Sequence, residues 1–423
     1  MQESSDVPQR RWRRIIPVAF LMYTIAFIDR NNISFAFPGI QHDLAIDATY
    51  AGMAAGIFFI GYLFLQIPGA IIAEKFGAKR FVTVALIVWG VVSMCTGLVQ
   101  NVHQLLGVRF LLGVVEGGVS PATMILLSKW FPIAERSQAN AYWYLCIPFS
   151  SIVMSPLCGL ILTYADWRMM FFLEGLPPLI WAVVWWYFID DDPATATWLP
   201  EPEREYLTTT LTAERGAIRK QSGSTREALT SSNLWILVVV FFLIQIGFYG
   251  YGLWLPTLVR SVSGGSNITV GLLSALPWIA GMAGALLMAR HVDVTGKRQQ
   301  GIAIAMIGGA FFLLLSVAFG QPHPVLAIGS MVLCMGFLYS YIGVFWATPT
   351  TFLTGTALGA GIGIINSLGN LGGFLGPFVV GFLIDRTHSF ITGVVFLAGA
   401  LVAAGLLIFL FRARPPVVAQ AAE

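Results

Sequence analysis

The chain has 423 residues, of which 57% are apolar and only 11% are charged, and its mean hydropathy is +0.77. An average soluble domain carries about a quarter charged residues. A water-soluble fold of this length could not bury so much apolar surface, so the composition excludes an ordinary soluble enzyme. The apolar residues form long continuous runs and not alternating stretches of about 10 residues, which excludes a transmembrane β-barrel.

The apolar runs predict twelve membrane-spanning helices, because a helix that crosses a bilayer needs about 20 mostly apolar residues. The predicted spans are 15–39, 50–73, 81–100, 103–128, 137–163, 169–189, 233–258, 268–290, 301–320, 323–349, 356–384 and 389–411. One long hydrophilic stretch separates the first six spans from the last six. We therefore expect an all-α integral membrane protein with a six-helix bundle over 1–190, a cytoplasmic linker over 191–232 and a second six-helix bundle over 233–423.

The placement of Lys and Arg predicts the orientation of these helices. With both termini in the cytoplasm, 19 of the 24 Lys and Arg residues fall on the cytoplasmic side, and only Arg168, Arg260 and Arg386 fall in outer loops. Cytoplasmic loops of membrane proteins are enriched in these residues. The sequence therefore predicts cytoplasmic N and C termini.

The two halves of the sequence also repeat. The loop between spans 2 and 3 and the loop between spans 8 and 9 have similar patterns, and their glycines Gly77 and Gly296 lie 219 residues apart. A duplication of six spans, with a substrate site near the middle of the membrane between the halves, is a known plan of transporters.

Four charged side chains lie well inside the predicted spans of the first half, Asp29 and Arg30 in span 1 and Arg109 and Glu116 in span 4, while Glu174 lies near the outer end of span 6. Such groups cost several kcal/mol unless they are paired or face a water-filled cavity. The seven-residue spacing places Arg109 and Glu116 on one helix face, about 10 Å apart. We expect a network in which a carboxylate takes up and releases a proton and an arginine binds the carboxylate of an anionic substrate. Salt bridges that only hold helices together are the alternative.

Other polar residues give weaker signals. Gln245 and Asn366 are lone amides in spans 7 and 11, which need partners or a cavity, and Tyr249 lies one turn from Gln245. The four cysteines and five histidines have no metal-ligand spacing, so no metal site is expected.

Charged residues at the cytoplasmic ends of helices are interpreted as gating residues. We expect them to act as locks between helices that favour one conformational state. They are Glu74, Lys75 and Arg80 in the loop between spans 2 and 3, and Asp293 in the loop between spans 8 and 9.

Several segments together resemble one family, the major facilitator superfamily, and within it the anion:cation symporter branch. They include Phe27–Ile33, Arg109–Gly118, Trp130–Pro132 and Phe345–Pro349, and the resemblance extends from Arg13 to about Phe411. Within the branch, the chain is most similar to bacterial sugar-acid carriers such as those for L-rhamnonate. Permeases for tartrate, phthalate and 4-hydroxyphenylacetate are also similar.

The resemblance implies proton-coupled uptake of a small organic carboxylate, with a sugar acid as the expected substrate, by alternating access. It implies that Arg30 contacts the substrate carboxylate, that Asp29 and Glu116 carry the coupling protons, and that Arg109 tunes Asp29. It also places Tyr62, Gln245, Trp346 and Asn366 at positions of substrate contact, with Tyr249 on the same wall. For the aromatic residues, ordinary packing remains an equal alternative.

The family further implies a monomer in the plasma (inner) membrane, with the bilayer, protons and an organic anion as partners, no nucleic acid and no cofactor besides the proton gradient. An anion exchanger or uniporter for an aromatic or dicarboxylic acid on the same fold is the alternative function. A membrane enzyme is not expected, because the sequence has no metal cluster, nucleophile elbow or phosphate loop.

Departures from the family pattern weaken the gating assignments. Ala70 replaces the first glycine of the motif between spans 2 and 3, Glu74 replaces its aspartate, and Val294 replaces a basic residue after Asp293. Ser155–Gly159 is an incomplete form of a motif associated with antiporters, which disfavours drug export.

Overall fold

The computed structural model describes residues 9–218, 229–353 and 355–412, and regular structure within them is helical. Nine helices precede the long hydrophilic stretch. They are α1 (Arg10–Asn31), α2 (Ile33–Leu44), α3 (Ala48–Phe76), α4 (Ala78–Thr96), α5 (Val102–Gly117), α6 (Val119–Trp130), α7 (Ile133–Tyr144), α8 (Cys146–Tyr164) and α9 (Trp167–Phe188).

Nine further helices have both ends within the described residues, and the first of them lies in the predicted linker. They are α10 (Glu201–Ile218), α11 (Ser232–Ser263), α12 (Asn267–Thr295), α13 (Arg298–Phe319), α14 (Pro324–Tyr339), α15 (Tyr341–Trp346), α16 (Gly355–Gly369), α17 (Gly372–Thr387) and α18 (Phe390–Leu407). Short 3₁₀ turns occupy Pro193–Thr195, Pro349–Thr351 and Ile408–Leu410.

Within the described residues, eleven helical segments are long and apolar enough to cross a membrane. They correspond to the second to twelfth predicted spans. The first predicted span is outside this set because α1 contains four arginines in its first turns and an Asp-Arg pair near its end. Its continuation α2 has only 12 residues.

The outer faces of these helices are apolar, as a lipid environment requires. Large apolar side chains such as Phe64, Ile67, Val84, Ile180 and Leu287 are exposed over α3, α4, α9 and α12. In a soluble protein, so large an exposed apolar surface would mark an interface. Here it fits helices whose backbone groups are satisfied internally and whose side chains face hydrocarbon.

The helices form two compact units. The first unit comprises the described parts of 1–31, 60–151 and 167–221. In it, α4 packs extensively against α9, α1 packs against α9 and α7, and α5 and α6 contact α4. The prediction of a six-helix bundle over 1–190 is a different division of the chain and stays a prediction.

The second unit comprises the described parts of 32–59, 152–166 and 222–423. Its long central helix α11 packs against α16, α17 and α18, while α13 packs against α14 and α18. The first turn of α3 belongs to this unit and is bound there by two carboxylates. Asp385 accepts from the amides of Ala48 (3.1 Å) and Thr49 (2.7 Å), and Asp47 accepts from the amide of Tyr50 (2.9 Å). These bonds satisfy amides that a helix start leaves without intrahelical partners.

The linker helix α10 is part of the first unit and not an exposed tether. Glu203 is fully buried, pairs with the guanidinium of Arg11 at 2.7 Å and accepts from the backbone amides of Arg10 and Arg11. Arg11 also makes two 2.7 Å bonds to the carboxylate of Glu135 at the start of α7. Burial and the charge of Glu135 raise the pKa of the adjacent Tyr206 hydroxyl. Two carboxylates therefore clamp the start of α1 between α7 and α10.

Replacing Glu203 by alanine should destabilise the protein far more than replacing Glu201 by alanine. The Glu203→Ala change removes one ion-pair partner of Arg11 and the cap of α1, at a cost of about 2 kcal/mol or more. Glu201 lies two residues away with 78% of its side chain exposed, so its loss should cost less than about 1 kcal/mol. Thermal unfolding of both variants in detergent measures the difference. Equal melting temperatures would contradict the clamp.

Candidate functional site

Four of the predicted site residues lie within four positions of an interruption in a helix: Asp29, Arg30, Glu116 and Asn366. Several predicted spans are not continuous, and breaks occur at Asn32, Gly118, Ser340 and Asn370. Near three of these breaks the backbone forms i→i−3 hydrogen bonds, from Phe35 to Asn32 (3.0 Å), from Ser340 to Phe337 (3.0 Å) and from Gly373 to Asn370 (2.9 Å). Such tightened turns inside helices often mark functional positions.

Asp29 lies near the end of α1 and is fully buried. Its carboxylate accepts hydrogen bonds from Trp89 Nε1 and from the Ser93 hydroxyl, both on α4. The two donors are four residues apart, so they lie on the same face of α4. The structure therefore holds Asp29 against α4, an arrangement that the sequence interpretation did not foresee.

Arg30 and Glu116 form a buried ion pair. The distance from Arg30 Nη2 to Glu116 Oε2 is 3.2 Å, and the two side chains are 5% and 1% exposed. The rings of Phe27 and Tyr62 lie 4.5 and 4.9 Å from the Arg30 guanidinium carbon. A cation over aromatic faces is attracted by the ring quadrupoles. The structure brings Arg30, Glu116 and Tyr62 together, and their roles stay predictions.

Arg109 holds the backbone on which the first two charges sit. Its guanidinium is fully buried and donates to the carbonyl oxygens of Asp29 (3.4 Å) and Arg30 (3.2 Å). These carbonyls belong to the last turn of α1, where helix carbonyls lack intrahelical partners. Arg109 thus fixes the end of α1 beside α5, and the four charges predicted as a network lie together in the first unit.

A close approach of two backbones positions Glu116. A Cβ atom added to Gly117 would lie 2.2 Å from the carbonyl oxygen of Tyr62. Only glycine permits this contact between α5 and α3. The contact brings Glu116 next to the Tyr62 ring and the Arg30 guanidinium.

The second unit contains a chain of neutral hydrogen-bonding side chains. Tyr341 donates its hydroxyl to Gln245 Oε1 (3.2 Å), Gln245 Nε2 donates to Asn370 Oδ1 (3.0 Å), and Asn370 Nδ2 donates to Asn366 Oδ1 (3.0 Å). Gly372 brings α17 close to α11 at this point, since its Cβ would lie 2.2 Å from the Phe242 carbonyl oxygen. The structure thus connects the two amides predicted as site residues through a third.

The aromatic residues predicted for the substrate site have aromatic neighbours in the second unit. The Tyr249 ring lies 4.2 Å from that of Phe59, and the half-buried Trp346 ring lies 5.0 Å from that of Phe241. Substrate contact by Tyr249 and Trp346 stays a prediction.

The four predicted gating residues Glu74, Lys75, Arg80 and Asp293 are exposed, and the described residues contain no ion pair with any of them. The charged contact in this loop involves Lys79 instead. Its ammonium group lies 3.1 Å from Asp190, and its backbone amide donates to Asp191. The role of the four residues as locks stays a prediction.

Sequence reasoning missed the partners that orient the site: Trp89 and Ser93 beside Asp29, and Tyr341 and Asn370 beside Gln245. Each lies in an apolar run, and the mean hydropathy of such a run does not reveal one polar side chain within it. The signal that was available is the same as for Gln245, a lone hydrogen-bonding side chain within a span. Over the described residues, no group of His, Cys, Asp and Glu could hold a metal ion, and all five histidines are exposed.

The chain belongs to the major facilitator superfamily, whose family model matches residues 19–377. It is 36% identical to a putative tartrate transporter of Agrobacterium vitis, covering 98% of this chain and 97% of that one. It is 31% identical to a quinolone resistance transporter of Acinetobacter baumannii, covering 98% and 96%. The predicted family and its organic-anion branch are confirmed, and the protein is a transporter and not an enzyme.

Comparison with solved structures supports the fold. The crystal structure of a D-xylose-proton symporter matches with a TM-score of 0.75 at 17% identity, covering 96% of this chain and 98% of that chain. The predicted all-α membrane fold of the superfamily is therefore confirmed.

Replacing Arg109 by lysine should destabilise the protein although the charge is retained. Lysine has no planar fork with which to reach two carbonyls at once, and losing a hydrogen bond to a charged group costs about 1.5–3 kcal/mol. Arg168 provides the control, because it also donates to two carbonyls, those of Gly97 and Val99, but is half-buried at a helix end. The Arg109→Lys melting temperature should fall below that of Arg168→Lys. The reverse order would contradict the role assigned to Arg109.

Proposed function

We propose that this transporter is a proton-coupled symporter that imports a small organic carboxylate, with a sugar acid as the expected substrate. The proposal includes alternating access, a single chain as the working unit, and both termini on the cytoplasmic side of the plasma membrane. The proton gradient is the only energy source it needs. The name of the Agrobacterium relative supports a carboxylate, since tartrate is a hydroxylated dicarboxylate.

The state of Glu116 carries the proposal. Arg30 binds one of its carboxylate oxygens, and the other, Oε1, is buried without a hydrogen-bond partner among the described residues. A buried carboxylate with one unpartnered oxygen is poorly compensated for its desolvation, and a proton on Oε1 removes the negative charge that burial penalises.

Competition for Arg30 links the proton to the substrate. While Glu116 is ionised, its carboxylate occupies Arg30, and a substrate carboxylate would have to displace it against like-charge repulsion. Protonation neutralises Glu116, weakens the 3.2 Å ion pair and leaves the guanidinium to the substrate carboxylate, which it can bind through two hydrogen bonds. Loss of the proton on the cytoplasmic side then restores the pair and expels the substrate.

Asp29 has a different environment and therefore a different part in the proposal. Both of its carboxylate oxygens are bound, one by Trp89 and the other by Ser93. A proton on Asp29 need not displace either donor, since each carboxylate oxygen has two lone pairs, but it removes the charge that strengthens both bonds. We propose that Asp29 is the second coupling acid and that Arg109, through the backbone of α1, sets its position.

The Glu116→Gln variant tests the coupling. In liposomes loaded with unlabelled tartrate, the variant should still exchange labelled tartrate across the membrane, because a neutral side chain leaves Arg30 available. It should lose accumulation driven by an inward proton gradient, because no proton can enter or leave at residue 116. The wild type should show both activities.

Glu174→Gln is the matched control, since Glu174 is another buried glutamate of the first unit, and gradient-driven uptake should survive in it. Survival in Glu116→Gln would remove Glu116 from the mechanism. A wild type that exchanges tartrate but does not respond to the gradient would favour the exchanger or uniporter.

The Arg30→Ala variant tests substrate binding. A thermal-shift screen of the wild type against a panel of carboxylates identifies a ligand. The variant should bind that ligand at least about 100-fold more weakly, because two charge-assisted hydrogen bonds are lost. Arg168→Ala removes an arginine that binds only backbone carbonyls and should keep the wild-type affinity. An Arg30→Ala variant with full affinity would overturn the assignment.

The name of the Acinetobacter relative favours a second candidate, export of a quinolone. Fluoroquinolones carry an aromatic carboxylate, so Arg30 could bind them through the same contact. A fluoroquinolone in the thermal-shift panel separates the two readings. Stabilisation by the drug and by no hydroxy acid would favour export.

A further inference from the structure

The neutral side chains of the second unit form a chain of hydrogen bonds that all donate in one direction, from Tyr341 towards Asn366. That direction determines whether the last residue presents a donor or an acceptor to a ligand. We propose that Tyr341 orients the amides of Gln245, Asn370 and Asn366 so that Asn366 presents its NH₂ group to the substrate. The substrate group that it selects is then a hydrogen-bond acceptor, a carboxylate or hydroxyl oxygen. The inference rests on the proposed function for its substrate class.

The geometry of the chain leaves one end open. Every link is 3.0–3.2 Å long, and Tyr341, Gln245 and Asn370 are buried. Asn366 is half-buried, and its Oδ1 accepts from Asn370. The described residues include no hydrogen-bond acceptor for Asn366 Nδ2, so this NH₂ group is the end at which a ligand can be bound.

Tyr341 removes the ambiguity that a row of amides has by itself. A side-chain amide can turn over and exchange its oxygen and nitrogen, and a row of three can turn over together. If this row were reversed, Gln245 would donate to the Tyr341 oxygen and the hydroxyl proton would have no acceptor among the described residues. An unsatisfied buried donor costs about 1–3 kcal/mol, so the hydroxyl favours the observed direction by that amount.

The direction has a consequence for selectivity. An NH₂ group at position 366 binds a carboxylate oxygen, whereas an amide oxygen at the same position would repel it. Bonds in a row also polarise one another, so a donor at the end of the chain is strengthened by the links behind it. Tyr341 is therefore a positioning residue, and its effect on a ligand must pass through Asn370.

The test begins without a substrate. Tyr341→Phe and Asn370→Ala should each lower the melting temperature in detergent, and the double variant should be no less stable than the worse single variant, because both changes disable one chain. Tyr251→Phe is the matched control. Tyr251 is also buried in the second unit, but it donates to the Met331 backbone carbonyl at 2.8 Å, so its effect should add to that of Asn370→Ala. If the decreases in melting temperature for Tyr341→Phe and Asn370→Ala were additive, the two residues would not act through one hydrogen-bonded chain.

The second measurement uses the affinity for L-tartrate, or for whichever carboxylate stabilises the wild type. Tyr341→Phe should weaken binding about 5- to 10-fold, the effect of one hydrogen bond, while Tyr251→Phe should stay within about 2-fold. In the Asn370→Ala background, Tyr341→Phe should cause no further loss. Asn366→Asp, which replaces the NH₂ group by an acceptor, should abolish binding. Unchanged binding in Asn366→Asp would overturn the donor assignment.

The two proposals fail in different ways. If no carboxylate binds the wild type, the proposed function is rejected and the donor assignment at Asn366 is rejected with it. The melting temperatures of the single and double variants still test whether Tyr341 and Asn370 belong to one hydrogen-bonded chain of side chains. If carboxylates bind and Arg30→Ala loses them, but Tyr341→Phe has no effect, the proposed function stands and the role of Tyr341 is rejected.

Discussion

The ion pair between Arg30 and Glu116 is the interaction around which the first unit is organised. Neither charge is in contact with bulk water, so each depends on the other and on its surroundings for compensation. The aromatic rings of Phe27 and Tyr62 cover the cation, and Gly117 lets α5 approach α3 closely enough for Glu116 to reach it. Arg109 holds the end of the helix that carries Arg30. The compensation is incomplete at one oxygen of Glu116, Oε1, which has no hydrogen-bond partner among the described residues.

The predicted site residues of the two units differ in their chemistry. In the first, the predicted coupling and binding residues Asp29, Arg30, Arg109 and Glu116 are buried ionisable groups. In the second, Gln245, Asn370 and Asn366 are neutral, and their state does not change with pH. Neutral amides discriminate by the direction and position of their hydrogen bonds. Under the proposed function, the ionisable groups couple the cycle to the proton gradient and the amides recognise the ligand.

Local signals in the sequence were enough to predict the spans and the charged cluster. An apolar run is visible within 20 residues, and Asp29, Arg30, Arg109 and Glu116 are conspicuous because almost nothing else in their runs is charged. The clamp of Arg11 by Glu203 could not be predicted in this way. The two residues are 192 positions apart, and Glu203 lies in a hydrophilic stretch that reads as a solvated linker. Trp89 was also missed, because a tryptophan in a span reads as packing until its Nε1 partner is known.

The interruptions in the helices are the points at which the membrane spans can bend most easily. A continuous helix bends as one rod, and a sharp bend in it breaks several backbone hydrogen bonds. At Asn32, Ser340 and Asn370 the regular ladder is already broken by i→i−3 bonds, so a span can pivot there at little further cost. Each of these breaks lies close in sequence to a predicted or proposed site residue: Arg30 precedes Asn32, Tyr341 follows Ser340 and Asn366 precedes Asn370. A change at any of these three side chains therefore takes place within four residues of a point where its own helix can bend.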